Sequence, residues 1–444
     1  MRQCVGPPEG PLRIAARGLR GAFEDRWGFS MSSNRQFRQC IADSLACALR
    51  LGAFRLHSNC RTAFCERPAI PHPFARARGF LSGIARGCGK RCVPLQRLLR
   101  FFWAVSWSGL LLSYACASDA QVVGAGASFP APALEGWAKA FARASGSAPL
   151  YRSVGSGEGV RRLTARNADF AMTDVPLTQT ELSQDDLMQF PVVAGAVVPV
   201  VNLPGVRDGE LKITGSVLSD IFLGRITNWN ATALQELNPE RRLPDLPIRV
   251  VHRADGSGTT FVFTYYLSRV SPEWRERLGI GSRLHWPAGA GANGNQGVSQ
   301  AVRNTVGAIG YVEYSYAVQY DLATAQLRNK AGKFARASDA ALHAALSSAR
   351  WSRPGFYEIL VDQEGDESWP IVGVSFALIH KSPKRRAEAA ATLEFLHWIY
   401  AHGAPVAREL HYAPLEDAAL IGRIESSWTQ VRDDTGKSIW TGAH

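Results

Sequence analysis

From residue 121 to the carboxyl end the chain contains no cysteine; all eight (Cys4, Cys40, Cys47, Cys60, Cys65, Cys88, Cys92 and Cys116) come earlier. The later part can therefore carry no disulfide, no thiolate metal site and no cysteine nucleophile. It also lacks a charge excess. The formal net charge of +12 belongs to residues 1–120, which hold 18 Lys and Arg against 6 Asp and Glu; after them 32 basic residues face 32 acidic ones. Net basicity thus gives no reason to expect a nucleic-acid partner for the folded part. Missing too are a G-x-x-x-x-G-K-[ST] phosphate loop, a G-x-S-x-G nucleophile elbow and an H-E-x-x-H metal helix. The histidines after residue 121 are scattered, and His397 and His402 lie five apart, off a shared helical face, so packing or surface roles are expected. No metal and no cofactor are expected, and with no base or metal cluster near the candidate site the chain is not expected to be an enzyme.

The amino-terminal part has what the rest lacks. Residues 90–120 join a basic stretch (Lys90, Arg91, Arg97, Arg100) to an apolar run from Phe101 to Ala115, then small residues at Ala115, Ala117 and Ala120. That is the layout of a secretory signal peptide. The run of 15 residues is shorter than the roughly 20 that a membrane span needs, which favours cleaved export over a retained anchor. The bulky Tyr114 beside Cys116 disfavours a lipid-modified cysteine. Residues 1–89 are rich in Arg, Cys, Gly and Pro without a sustained period. They read as an untranslated upstream stretch or as a disordered extension. The mature chain is expected to begin between Cys116 and Gln121.

At 444 residues the chain has room for two or more cores. From Gln121 onward strands and helices alternate. "QVVGAGASFP" reads as a strand ending in glycines, and the next helix sets Leu134, Trp137 and Phe141 at helical spacing. "APLYRSV" and "ADFAMTD" are further strands, the latter stopped by Pro176. "MQFPVVAGAVVPVVNLPG" is a long Val-rich run without helical period, as expected of a strand buried on both faces. "PIRVVHR", "GAIGYVEYSYA" and "WPIVGVSFALIH" are later strands, and "RRAEAAATLEFLHWIYAHG" is a long helix. The fold class is α/β, most simply two lobes on one chain.

One device recurs three times: a strand, a Gly/Ser-rich turn, then a helix. The turns are "GAGASF" (124–129), "GSGEG" (155–159) and "ADGSGTT" (254–260). The first amides of a helix lack intrahelical partners and the helix dipole adds positive potential, so such turns suit an anion. Each alone is as readily a simple cap. Arg253 beside the third turn is a natural fork for a tetrahedral oxyanion, or else half of an ion pair. Asp255 either orients that guanidinium or caps the helix. Asp174 closes a strand before Pro176 and either caps a turn or accepts a proton-bearing oxygen of a ligand.

"GAGASFPAP", "VGSGEGV", "ADFAMTDVPL", "QFPVVAGAVVPVVNLPG", "LKITGSVLSDIFLGRITNWN", "RADGSGTTFVFTYYLSRVSPEW" and "GAIGYVEYSYA" fall in order from about Val122 onward. Together they resemble the phosphate-binding protein of the bacterial high-affinity phosphate ABC importer, the PstS family. The resemblance implies a type II periplasmic-binding-protein fold with two hinge-linked lobes, residues 121–203 with 371–444 and residues 204–370, around a ligand cleft. It implies a monomeric solute-binding protein, not an enzyme, that takes inorganic phosphate in the periplasm and passes it to a membrane-embedded permease with its ATPase subunits. It further implies that Ser128, Phe129 (through its amide), Ser156, Asp174, Arg253, Ser257, Gly258 and Thr259 contact the phosphate, with Asp174 taking the ligand's proton and Asp255 bracing Arg253. Glu158 departs from the pattern, standing where a small residue is usual, and is expected to face solvent. The competing readings are a secreted phosphatase-like enzyme using Ser257 with Arg253 and Asp255, and a sulfate or molybdate receptor, which would have no use for Asp174.

Overall fold

The computed structural model describes residues 121–442; the expected signal peptide, the extension before it and Cys116 lie outside the described residues. The first elements are β1 (Val123–Gly126), α1 (Ala131–Ser145), β2 (Leu150–Ser153), α2 (Ser156–Thr164), β3 (Phe170–Thr173), α3 (Gln179–Gln184) and β4 (Leu187–Asn202). Next come β5 (Leu211–Ile213), α4 (Gly215–Phe222), α5 (Thr232–Leu237), β6 (Arg249–Arg253), α6 (Gly258–Val270), α7 (Pro272–Arg277), β7 (Ala290–Ala292) and α8 (Gly294–Arg303). They are followed by β8 (Ala308–Glu313), α9 (Tyr314–Gln319), β9 (Ala323–Arg328), β10 (Phe334–Ala335) and α10 (Asp339–Leu346). Last are β11 (Val372–His380), α11 (Arg386–His402), α12 (Ala404–Glu409), β12 (Ala413–Pro414) and α13 (Ala418–Ser427).

The Val-rich run forms β4, and fifteen of its sixteen residues are buried. Its length lets it serve two sheets. Leu187–Ala196 pairs antiparallel with β11, whereas Val197–Asn202 pairs antiparallel with β8. On one side the strand order is β2-β1-β3-β11-β4, with β1, β2 and β3 parallel; on the other it is β4-β8-β6-β7, with β6 parallel to both neighbours. Parallel strands need crossover helices, which cover the sheet faces, so β3 and β8 are wholly buried, as is β11, which lies antiparallel between β3 and β4.

The change of partner between Ala196 and Val197 leaves backbone groups that must be satisfied without water. The Val197 amide donates to the Ile371 carbonyl at 2.9 Å, and the Trp369 indole donates to the Val197 carbonyl at 3.0 Å. The buried indole thereby uses its one donor at the seam between the sheets. On α1, Leu134 and Trp137 are buried as the spacing predicts, and Phe141 packs edge-on against Phe395 and Trp398 of α11. Gly146 ends α1 in the left-handed region at φ 82°.

Candidate functional site

The three Gly/Ser turns follow β1, β2 and β6, at the carboxyl ends of parallel strands, where open α/β sheets bind ligands. They meet. The Gly258 amide, at the start of α6, donates to the Ser156 hydroxyl at 3.1 Å, and the Gly157 amide reaches the Gly256 carbonyl at 3.4 Å. Asn295, in the first turn of α8, ties in the remaining turn. Its amide and side chain donate to the Ser128 hydroxyl at 3.1 and 3.0 Å, and its side chain also donates to Thr259 at 3.2 Å.

Four buried hydroxyls share one arrangement. Ser128 accepts from Asn295, Ser156 from the Gly258 amide, Ser257 from the Thr260 amide at 3.0 Å as the cap of α6, and Thr259 from Arg253 at 3.4 Å and from Asn295. A hydroxyl whose lone pairs are engaged by N–H donors keeps its proton to give. Four such protons beside three helix starts suit a ligand that presents acceptors.

Arg253 places a side chain only 1 % exposed among them. Its Nε donates to Asp255 Oδ1 at 2.7 Å and a terminal nitrogen pairs with Oδ2, the bidentate fork of a braced guanidinium. Burial pushes the Asp255 carboxyl up, but Arg253 together with the Gly294 amide and its own backbone amide outweighs it and leaves the carboxyl below the usual carboxylate range. Asp255 also accepts from the Gly294 amide at 3.1 Å, so it spans two turns, while Ser257 provides the cap. Opposite, Gly155 stands at φ 89°, where a β-carbon would lie 2.7 Å from Asp255 Oδ2.

Asp174 is 2 % exposed. One carboxyl oxygen accepts from Ser375 at 2.5 Å; the other, Oδ2, is buried without a protein partner. Burial raises its pKa to about 7 against the pull of Ser375, Arg253 and Ser156. In the unfolded chain the group ionises near its ordinary value of 3.8, so between about pH 4 and 7 the folded ligand-free protein holds an extra proton and its stability falls as pH rises. Above pH 7 the full cost is present, up to about 4 kcal/mol at about 1.4 kcal/mol per unit. Chemical denaturation of the ligand-free protein between pH 4.5 and 7.5 should show this decline, and Asp174→Asn should flatten it; equal slopes for the two proteins would show that Asp174 ionises normally.

The site thus gathers side chains of Ser128, Ser156, Asp174, Arg253, Asp255, Ser257 and Thr259 around Gly258. Phe129 buries its ring in the core, edge-on to Tyr412, and its carbonyl accepts from the Tyr412 hydroxyl at 2.6 Å. Glu158 is drawn along its own helix by Arg161 and Arg162, each 2.7 Å away, which lower its pKa to about 2 and engage both its oxygens. Two residues escaped the reading of the sequence. Asn295 sits in the Gly/Asn-rich "GANGNQG" stretch, where its position in a helix first turn was the signal. Ser375 is the one hydroxyl in the "VGVSFALIH" strand, whose other residues are apolar up to His380.

A family profile described as the PBP superfamily domain matches residues 115–402. The phosphate-binding protein PstS of Pasteurella multocida is 44% identical over 334 residues, covering 74% of this chain and 97% of its own length. The chain belongs to the PstS family of phosphate-binding proteins. Another member, from Xylella fastidiosa strain 9a5c, is 43% identical over 309 residues, 69% of this chain and 85% of the relative. Among solved structures, a high affinity periplasmic phosphate-binding protein bound with phosphate superposes with a TM-score of 0.57 at 22% identity, over 69% of this chain and 94% of that one. The superposition supports a two-lobed periplasmic-binding-protein fold, with the sheets on either side of the β4 seam. Among the described residues no helix is long and apolar enough to cross a membrane, and no group of three acidic, His or Cys side chains is placed to hold a metal.

Proposed function

We propose that this protein binds inorganic phosphate in the periplasm and delivers it, as a monomer, to an ABC permease driven by ATPase subunits. The observation that carries the reading is the pairing of a cradle of donors with a buried carboxylate oxygen at the site that has no protein partner, Asp174 Oδ2. Phosphate fits both halves: its unprotonated oxygens accept from Arg253, the hydroxyls of Ser128, Ser156, Ser257 and Thr259, the amide of Phe129 and the amide of Gly258, which it shares with Ser156, while its own O–H donates to Asp174. No metal or covalent bond is needed. Asp255 acts on Arg253, and Asn295 and Ser375 act on Ser128, Thr259 and Asp174. The lobes, taken from the sequence as residues 121–203 with 371–444 and residues 204–370, are best divided on the pairing of β4 at Ala196/Val197 and at Ile371.

Charge-assisted bonds of roughly 1.5–3 kcal/mol each, offset by closure and desolvation, leave a dissociation constant on the order of micromolar to tens of nanomolar. Titration calorimetry with phosphate should find it in that range. A dissociation constant weaker than about 1 mM, or turnover of a phosphomonoester by the purified protein, would overturn the reading.

A further inference from the structure

The turn that carries Ser128 and Phe129 is held from behind by a buried cluster. The Phe129 carbonyl accepts from Tyr412 at 2.6 Å, and the Ser128 carbonyl accepts from the Tyr316 hydroxyl at 2.8 Å. Tyr412 also lies 2.7 Å from Glu313 Oε2 and 3.0 Å from the Ser315 hydroxyl, while Ser315 contacts the same Oε2 with both its hydroxyl and, at 3.0 Å, its amide. Glu313 is fully buried, and its Oε1 has no protein partner. It ends β8 opposite Val197, where β4 passes from one sheet to the other, and its amide donates to Asn295 Oδ1 at 3.1 Å. The cluster therefore joins the β4 seam to the first anion turn by two routes.

Counting protons decides the state of this cluster. Tyr412 has one hydroxyl proton, and the carbonyl of Phe129 can only accept, so that proton goes to Phe129. The contact between Tyr412 and Glu313 then needs a proton on the acid. If Glu313 is ionised, it and the Phe129 carbonyl compete for the single Tyr412 proton, and one short oxygen–oxygen contact is left between two acceptors. The titratable groups that face Glu313 are Tyr412, from the segment after α12, and Tyr316 and Tyr314 of α9; no cation is paired with it among the described residues. All three are tyrosines, which stay neutral beside a buried acid.

We propose that Glu313 is a positioning residue for oxyanion binding: as a neutral acid it donates to Tyr412 and so leaves the Tyr412 proton on the Phe129 carbonyl, and on ionisation it takes that proton and releases the first anion turn. Burial, opposed by Ser315 and Tyr412, raises its pKa to about 8, which puts the change above neutral pH. This inference rests on the phosphate reading of the site.

The test is phosphate titration calorimetry on the wild type and Glu313→Gln at pH 7, 8 and 9 in one buffer series. Glutamine keeps an N–H donor toward Tyr412 and cannot ionise. Phosphate protonation and Asp174 act on both proteins alike, so the ratio of their dissociation constants isolates Glu313. With only the protonated form competent, that ratio should rise about tenfold between pH 7 and 9, because apparent affinity scales with the competent fraction. A ratio constant across the range, with binding intact, overturns this inference alone; absence of phosphate binding by either protein at every pH overturns the functional reading and this inference with it. Should the Gln variant not fold, infrared spectra serve instead: a protonated buried carboxyl band that is kept in Asp174→Asn, survives at pH 7, disappears by pH 9 and is tied to Glu313 by its shift in Glu313→Asp supports the inference. A band already absent at pH 7 overturns it.

Discussion

Asp174→Asn is expected to let sulfate in. In the wild type one Asp174 oxygen is engaged by Ser375 and the other is buried without a protein donor of its own. Sulfate is fully ionised near neutral pH and presents only acceptors, so that oxygen would face it across a buried acceptor–acceptor contact. Phosphate still carries a proton and turns the same contact into a hydrogen bond. Rejection is thus built from an unsatisfied partner in the wrong complex, the kind of discrimination that mere shape does not supply. The wild type should prefer phosphate over sulfate by a margin that grows about tenfold per pH unit above the Asp174 pKa of about 7, where the carboxyl is ionised. In the Asn variant the amide can donate to either anion, and the ratio should narrow chiefly through tighter sulfate binding. Because burial places the Asp174 pKa at about 7, a second consequence follows with a fixed sign: lowering the pH below 7 supplies a proton to Asp174 itself, so sulfate binding by the wild type should strengthen as the pH falls. Competition calorimetry with both anions at pH 5.5 and 8 checks both points. A phosphate-to-sulfate ratio unchanged by the substitution would reduce Asp174 to a structural residue.

What the sequence made readable at this site depends on distance along the chain. Arg253 and Asp255 are two residues apart, and the Ser257 cap reaches three residues to Thr260, so their chemistry lies within one short stretch. The strand-turn-helix units were legible for the same reason, since Gly, Ser and Thr act on the backbone beside them. β4 was legible because burial on both faces removes any alternation. The partners that tune the site are of another kind. Ser375 lies 201 residues from Asp174, Asn295 lies 167 from Ser128, and Tyr412 lies 99 from Glu313. No periodicity relates such pairs; they become neighbours only when β11 is laid between β3 and β4 and when α8 is aimed at the first turn. The same limit hid the seam. A Val-rich run without period gives no sign that Ala196 and Val197 face different partner strands, so the change of sheet inside β4 could not be read where it occurs.

Gly258→Ala is expected to cost affinity without unfolding the protein. A β-carbon at Gly258 would lie 2.4 Å from Asp174 Oδ2, 2.6 Å from Asp174 Cβ and 2.6 Å from the Ser156 hydroxyl oxygen. None of these atoms is the far end of a flexible chain. Asp174 is pinned by Ser375, and Ser156 receives the Gly258 amide itself. The backbone conformation at Gly258 is helical, so alanine is tolerated there as a local residue and even favoured as a helix former. The nearest atoms the methyl group meets belong to Asp174 and Ser156, which follow β3 and β2 and are not part of α6, so drawing α6 away from them relieves the conflict. The penalty should therefore fall on closure. Overpacking of this kind costs about 2–3 kcal/mol, on the order of 30- to 150-fold in phosphate affinity. The thermal midpoint of the ligand-free protein should hold within a few degrees, and small-angle scattering should show the variant failing to compact at phosphate concentrations that saturate the wild type. If the alanine variant instead binds phosphate within about threefold of the wild type, then the α6 amino terminus does not close onto Asp174 and Ser156 when the ligand is held, and the contact between Gly258 and Ser156 is no part of the bound state.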